Sequence, residues 1–190
     1  SSEMVTNIAA SIVTIVYNTQ LMKYFGENGV AAYGVVMYVN FIFAAIYFGY
    51  AMGCSPVLSY HYGANNTDEL KNLLKKSLTM IGIAGVLMLI ISRIASPMLV
   101  KIFVGYDAEL YNLTCHAFKI YSFAFLIMGY SVFGSSFFTA LNNGGVSAAI
   151  SFIRTFIFET GSVLLLPIIF GSDGIWGAVV AAEIAAAIVS

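Results

Sequence analysis

Long apolar runs separated by short polar breaks make up nearly the whole chain. The breaks read "GENG", "GANNTDEL", "GYDAEL", "LNNGG" and "GSDG". Their glycines and asparagines supply the positive φ with which helices commonly end. A membrane-spanning helix needs about 20 mostly apolar residues, whereas barrel strands are about 10 residues long and strictly alternating. The pattern therefore predicts six helices, at approximately 4–25, 30–62, 77–104, 111–141, 146–170 and 174–190, and we expect the last to be truncated.

Composition places these helices in a membrane. The chain has 190 residues, of which 60% are hydrophobic and 9% are charged, whereas soluble domains carry about 25% charged residues. A soluble core of this size cannot hide so much apolar surface. We therefore predict an all-α, multi-pass protein of the cell membrane, with the lipid bilayer as its partner. A net charge of −1 argues against a nucleic-acid partner.

The distribution of lysines predicts the orientation. Lys71, Lys75 and Lys76 crowd the break between the second and third helices, and positively charged loops stay in the cytoplasm. The 63–76 loop and the start of the first helix are thus predicted to be cytoplasmic. Arg154, two turns into the fifth helix, is expected to extend its side chain to the inner surface.

The second segment carries a candidate hinge. It spans about 33 residues, or ~50 Å, which exceeds the ~30 Å hydrocarbon core of a bilayer. Pro56 removes a backbone hydrogen bond and favours a bend. Gly49 and Gly53 have the GxxxG spacing that lets another helix approach closely. Either these residues form only a packing seam and a kink, or the bend shapes a cavity or acts as a hinge.

Three acids, Glu3, Glu159 and Glu183, fall inside apolar segments, where an ionisable group is expensive and is a functional candidate. Glu159 lies ~20 Å from the inner surface and Glu183 ~14 Å from the outer one, so antiparallel helices place them at similar depth. If they face each other, at least one is expected to be protonated near neutral pH and to carry a coupling proton. The alternative is a structural hydrogen bond. Arg154 lies about 140° from Glu159 around an α-helix, so it is a poor partner for that acid.

Catalytic and metal-binding patterns are missing from the sequence. His61 and His116 are isolated and have no second ligand at metal spacing. The spacings of nucleophile elbows, P-loops and metalloproteases do not occur. We therefore predict that the chain is not an enzyme and needs no cofactor.

Two long motifs resemble one transporter family. "GYAMGCSPVLSYHYGANNTDELKNLLKKSL" and "SFIRTFIFETGSVLLLPIIFGSDGIWGAVVAAE" are similar to segments of the multidrug and toxic compound extrusion (MATE) family, and "FFTALNNGG" fits between them. The resemblance implies a twelve-helix transporter built from two pseudo-symmetric six-helix lobes, of which this chain resembles the C-terminal one. The partner would be the missing N-terminal lobe. The implied function is antiport of cationic drugs against H⁺ or Na⁺ by alternating access.

The resemblance also implies candidate site residues. Glu3 lies on the helix that can carry a cation-binding acid in the family, and Asn18 on the same helix is a candidate cavity residue. The fourth helix departs from the pattern, because Met128 and Gly129 stand near the position where some members carry an acid. This departure disfavours that kind of sodium site.

Three aromatic residues of the fourth helix, Tyr121, Phe125 and Tyr130, are candidates for stacking on a cationic substrate. Packing within the lobe, or a place in the interfacial belts, is the competing interpretation.

Two other functions compete with the antiporter. A lipid-linked saccharide flippase of the same architecture is expected to carry several cationic residues in its central cavity, whereas this chain has its basic residues near the surfaces. A non-transporting membrane scaffold has little use for buried acids.

Overall fold

Six consecutive helices form the fold. The computed structural model describes residues 2–189, with the side chains of residue 8 and residues 10–189. The helices are α1 (Ser2–Phe25), α2 (Glu27–Gly63), α3 (Thr67–Val104), α4 (Ala108–Ala140), α5 (Gly144–Phe170) and α6 (Asp173–Val189). No strand occurs between residues 2 and 189. Within these residues α2, α3, α4 and α5 are long and apolar enough to cross a membrane. The prediction of an all-α bundle of six helices is confirmed.

The polar breaks end helices as their residue types predict. Asn65 and Asn142 adopt positive φ angles of 53° and 58°. Asn66, Asp107 and Asn143 cap the starts of α3, α4 and α5 by accepting hydrogen bonds from backbone N–H groups two or three residues later.

Helix α3 begins at Thr67, ten residues before the predicted residue 77. The sequence pattern predicts a loop over 67–76, because most residues of this stretch are polar. The cap at Asn66 and the strong helix formers that follow it extend the helix through this stretch.

Helix α4 forms the centre of the bundle. It packs against α2, α3, α5 and α6, and more than half of its circumference is buried, with Lys119 and Phe123 on the exposed side. Phe43 of α2 meets Phe125 of α4 edge to face, with ring centroids 4.8 Å apart. Helix α3, in contrast, exposes large apolar side chains such as Ile94 and Met98 along its outer face. An apolar outer face around a packed core is the arrangement expected of a bundle in lipid.

Among the described residues, no helix makes the close approach predicted at Gly49 and Gly53. No described atom lies within 4 Å of a Cβ built at either glycine. The tight approach occurs instead at Gly85 of α3, where a Cβ would lie 2.8 Å from the carbonyl oxygen of Leu126. Pro56 lies inside α2, which continues as a helix to Gly63.

Candidate functional site

A buried ion pair joins the last two helices. Arg154 of α5 contacts Glu183 of α6, with Nη2 and Nε at 2.6 Å and 3.2 Å from Oε1. The other carboxylate oxygen of Glu183 accepts a hydrogen bond of 3.0 Å from the Ser131 hydroxyl of α4. The Glu183 side chain is only 2% exposed. Both of its oxygens therefore have polar partners, as a charge in a low-dielectric interior requires.

This pair corrects the prediction for Arg154. Its side chain was expected to reach the inner membrane surface, but the guanidinium turns inward and binds Glu183. The carboxylate offers charge-assisted hydrogen bonds inside the bundle, which an isolated apolar helix does not. Sequence spacing could not find this partner because it lies on the next helix.

The middle of α5 is a π-helix. Residues Ile153–Glu159 form it, between α-helical turns at Gly144–Phe152 and Thr160–Phe170. Its hydrogen bonds connect residues five apart, so positions 154 and 159 lie closer around the axis than the 140° of an α-helix. Glu159 accordingly experiences the charge of Arg154, although the guanidinium is bonded to Glu183. Such π-helical segments are frequent at functional sites.

Glu159 has no fixed partner. Its side chain is half-buried, and it forms no hydrogen bond or salt bridge with any residue that the structure describes. The charges of Arg154 and Glu183 both act on it, with opposite sign. The neighbouring Thr160 hydroxyl is buried and also lacks a described partner. The carboxylate of Glu159 thus differs from that of Glu183, because no described residue holds it in place.

Three tyrosines on three helices lie within electrostatic range of this acid. Tyr17 of α1, Tyr33 of α2 and Tyr121 of α4 all interact electrostatically with Glu159. The rings of Tyr17 and Tyr33 stack with centroids 4.5 Å apart, and the Tyr17 hydroxyl donates a hydrogen bond to the carbonyl of Ile175. The sequence analysis missed Tyr17, Tyr33 and Ser131, since a chain with 12 tyrosines offers no signal for the ones near an acid. We call Arg154, Glu159, Glu183, Ser131 and these three tyrosines the central polar cluster.

The predicted residues of α1 are not part of the central polar cluster as the structure describes it. The side chain of Glu3 lies outside the described residues. Asn18 is half-buried and lines a groove of about 580 Å³ together with Thr19 and Lys23. Asn18 makes no hydrogen bond with a described residue.

The three predicted aromatic residues lie in two different places. Tyr121 and Phe125 are 2% and 0% exposed in the core of the bundle. Tyr130 is half-buried and lines a cleft between α3 and α4.

Long apolar helices around a buried charged pair define a multi-pass membrane protein. A comparison with models of protein families identifies the family within this class. The family model for MatE matches residues 4–161 of the chain. The chain belongs to the MatE family. No sequence among the curated proteins matches the chain.

Solved structures share the fold. A multidrug resistance MATE family transporter of the MOP superfamily is similar in its outward-facing conformation (TM-score 0.89, 19% identity, 97% of this chain and 42% of that chain). Its inward-facing conformation gives a TM-score of 0.90 at 18% identity, over 97% of this chain and 43% of that one. A MOP superfamily transporter from Pyrococcus furiosus gives 0.87 at 18% identity, over 97% and 42% of the two chains, and is described as having a binding pocket of reversed polarity that suggests a different function. The chain thus spans about two fifths of the length of these transporters.

Proposed function

We propose that this chain is the C-terminal lobe of a secondary antiporter that exports organic cations in exchange for H⁺ or Na⁺. The observation that carries the proposal is the partner-free, half-buried carboxylate of Glu159 within the central polar cluster. Membership of a transporter family supports the class of function. The N-terminal lobe of the same protein would complete the substrate cleft.

Glu183 and Glu159 would have different roles. Glu183 is occupied by Arg154 and Ser131, so its charge is compensated and it holds α4, α5 and α6 together. Glu159 lacks such partners, and an uncompensated charge in a membrane interior is costly. It would therefore be neutralised by a proton or a cation from one side and release it to the other.

A proton fits this site better than sodium. Sodium binding requires several oxygen ligands around the ion, yet α4 places Met128 and Gly129 where some family members carry an acid. A proton needs no ligand set beyond the Glu159 carboxylate itself.

Alternating access would move the lobe as a unit. The fold matches the outward-facing and the inward-facing transporter equally well, with TM-scores of 0.89 and 0.90. This likeness supports rocking of one lobe against the other around a site between them. The turn at 63–66, the first turns of α3 and the start of α1 would lie in the cytoplasm, as Lys71, Lys75 and Lys76 of α3 favour.

A lipid-linked saccharide flippase is the second candidate. The reversed pocket polarity described for the Pyrococcus furiosus transporter illustrates that this fold accommodates different pockets. The central polar cluster disfavours the flippase, because the charge of Arg154 is compensated by Glu183 and is not available for a pyrophosphate.

Ethidium efflux from cells expressing the full-length transporter tests the proposal, with Na⁺ and pH varied independently. We expect efflux driven by a pH gradient without Na⁺, and its loss in Glu159→Gln. Glu109→Gln, at the exposed start of α4, is the matched control and should export normally. Failure to export any cationic dye under either gradient would overturn the antiporter and favour the flippase.

A further inference from the structure

A cleft between α3 and α4 is lined by residues that do not belong to the central polar cluster. It has a volume of about 420 Å³, within the ~300–1,000 Å³ typical of small-molecule sites. Its walls are apolar and aromatic: Leu74 and Leu78 of α3, Tyr130, Phe133 and Phe137 of α4, and Ala187 of α6. We call it the α3–α4 cleft. Tyr130, a candidate for stacking on a cationic substrate, is one of its lining residues.

Two lysines stand at the mouth of the α3–α4 cleft. Lys71 and Lys75 line an adjoining pocket of about 410 Å³ that shares Leu74, Leu78 and Tyr130 with the cleft. Because the two lysines are four residues apart, they lie on one face of α3, about one helical turn from each other. Both are exposed, and neither forms a salt bridge within the described part of the chain.

Neither acid of the first turn of α3 forms a salt bridge with these lysines in the described part of the chain, and Asp68 is exposed. Glu69 accepts hydrogen bonds of 3.2 Å and 3.1 Å from the side-chain amide of Asn72 and lies in the first turn of α3. The cleft therefore combines an uncompensated cationic mouth with an apolar interior.

Its position matches the edge of a membrane. Helix α3 has 38 residues, or ~57 Å, which exceeds the ~30 Å hydrocarbon core. Its polar first turns, which carry the lysines, therefore fall at a membrane surface, and Leu74, Leu78 and Tyr130 lie progressively deeper.

We propose that the α3–α4 cleft binds one acidic phospholipid. The phosphate would sit between Lys71 and Lys75, and an acyl chain would lie along Leu78 towards Phe133. A cationic substrate would be repelled by the two lysines, a zwitterionic lipid would leave their charge uncompensated, and a soluble phosphate would leave the apolar cleft unused.

Native mass spectrometry of the purified full-length transporter tests this site. The protein is titrated with phosphatidylglycerol and, in parallel, with phosphatidylcholine. We expect one phosphatidylglycerol to bind in preference, and about 25-fold weaker binding in K71A/K75A, from about fivefold for each basic residue near an acidic headgroup. Leu78→Trp, which fills the cleft, should also weaken binding. Lys101→Ala, at the other end of α3, is the matched control and should bind as wild type.

Three results would overturn the proposal. They are equal binding of both lipids by the wild type, unchanged phosphatidylglycerol binding in K71A/K75A or Leu78→Trp, and displacement of the lipid by millimolar inorganic phosphate, which would indicate a simple phosphate site. If K71A/K75A does not elute as a monodisperse protein, K71Q/K75Q replaces it, because glutamine removes the charge and keeps most of the side chain.

Discussion

The guanidinium of Arg154 and the carboxylate of Glu183 meet at 2.6 Å between two consecutive helices. The ion pair fixes how α5 and α6 face each other, because each charge is satisfied only in that arrangement. It also leaves Glu159 as the acid of the central polar cluster without a partner among the described residues. The candidate site thus arises from an asymmetry between two acids on neighbouring helices.

The first prediction concerns this ion pair. Arg154→Met leaves Glu183 buried without its cation and should lower the free energy of unfolding by about 3–5 kcal/mol. Glu183→Met should lower the free energy of unfolding by a similar amount, because it leaves Arg154 buried without its anion. The double substitution R154M/E183M should cost clearly less than the sum, because no isolated charge stays buried. Thermal unfolding of the purified full-length transporter measures all three variants, and additive losses would contradict the pairing.

The second prediction compares two glycines. Gly85→Ala would place its Cβ 2.8 Å from the Leu126 carbonyl oxygen and 3.1 Å from the Leu126 Cα, so α3 and α4 must separate. We expect a loss of about 1–3 kcal/mol in the free energy of unfolding.

Gly49→Ala is the matched control for Gly85→Ala. Its Cβ meets no described atom within 4 Å, and alanine favours helix over glycine by about 0.5–1 kcal/mol. The variant should therefore be neutral or slightly stabilised. Equal destabilisation of the two variants would contradict the packing of α3 on α4.

The third prediction concerns the hinge in α2. Pro56→Ala restores a backbone donor inside the helix, so the helix becomes stiffer while its stability is kept or increased. If α2 bends during transport, dye efflux should fall severalfold without loss of thermal stability. Pro97→Ala in α3 is the control, and an equal loss of efflux in both variants would contradict a specific hinge at Pro56.

Structural features that depend on residues a few positions apart can be predicted from the sequence. The helix count and the turns could be predicted, because glycine and asparagine at positive φ and the caps at Asn66 and Asp107 act within a few residues. The start of α3 at Thr67 was missed because its first ten residues are polar yet helical.

The candidate site depends on non-local geometry. The π-helical segment of α5 changes which residues share a face, so the angle assumed between Arg154 and Glu159 did not apply. Gly49 and Gly53 have the spacing of a packing motif but no neighbour among the described residues, whereas Gly85 carries the close contact. Only the packed bundle distinguishes these cases.

Proton release in proteoliposomes tests the central claim most directly. The full-length transporter is reconstituted with a pH-sensitive dye inside the vesicles, and a cationic substrate is added in the absence of Na⁺. We predict substrate-driven proton movement for the wild type and for Glu109→Gln, and none for Glu159→Gln, because a glutamine at this position cannot exchange a proton. Proton movement by a folded Glu159→Gln transporter equal to that of the wild type would contradict the role of Glu159.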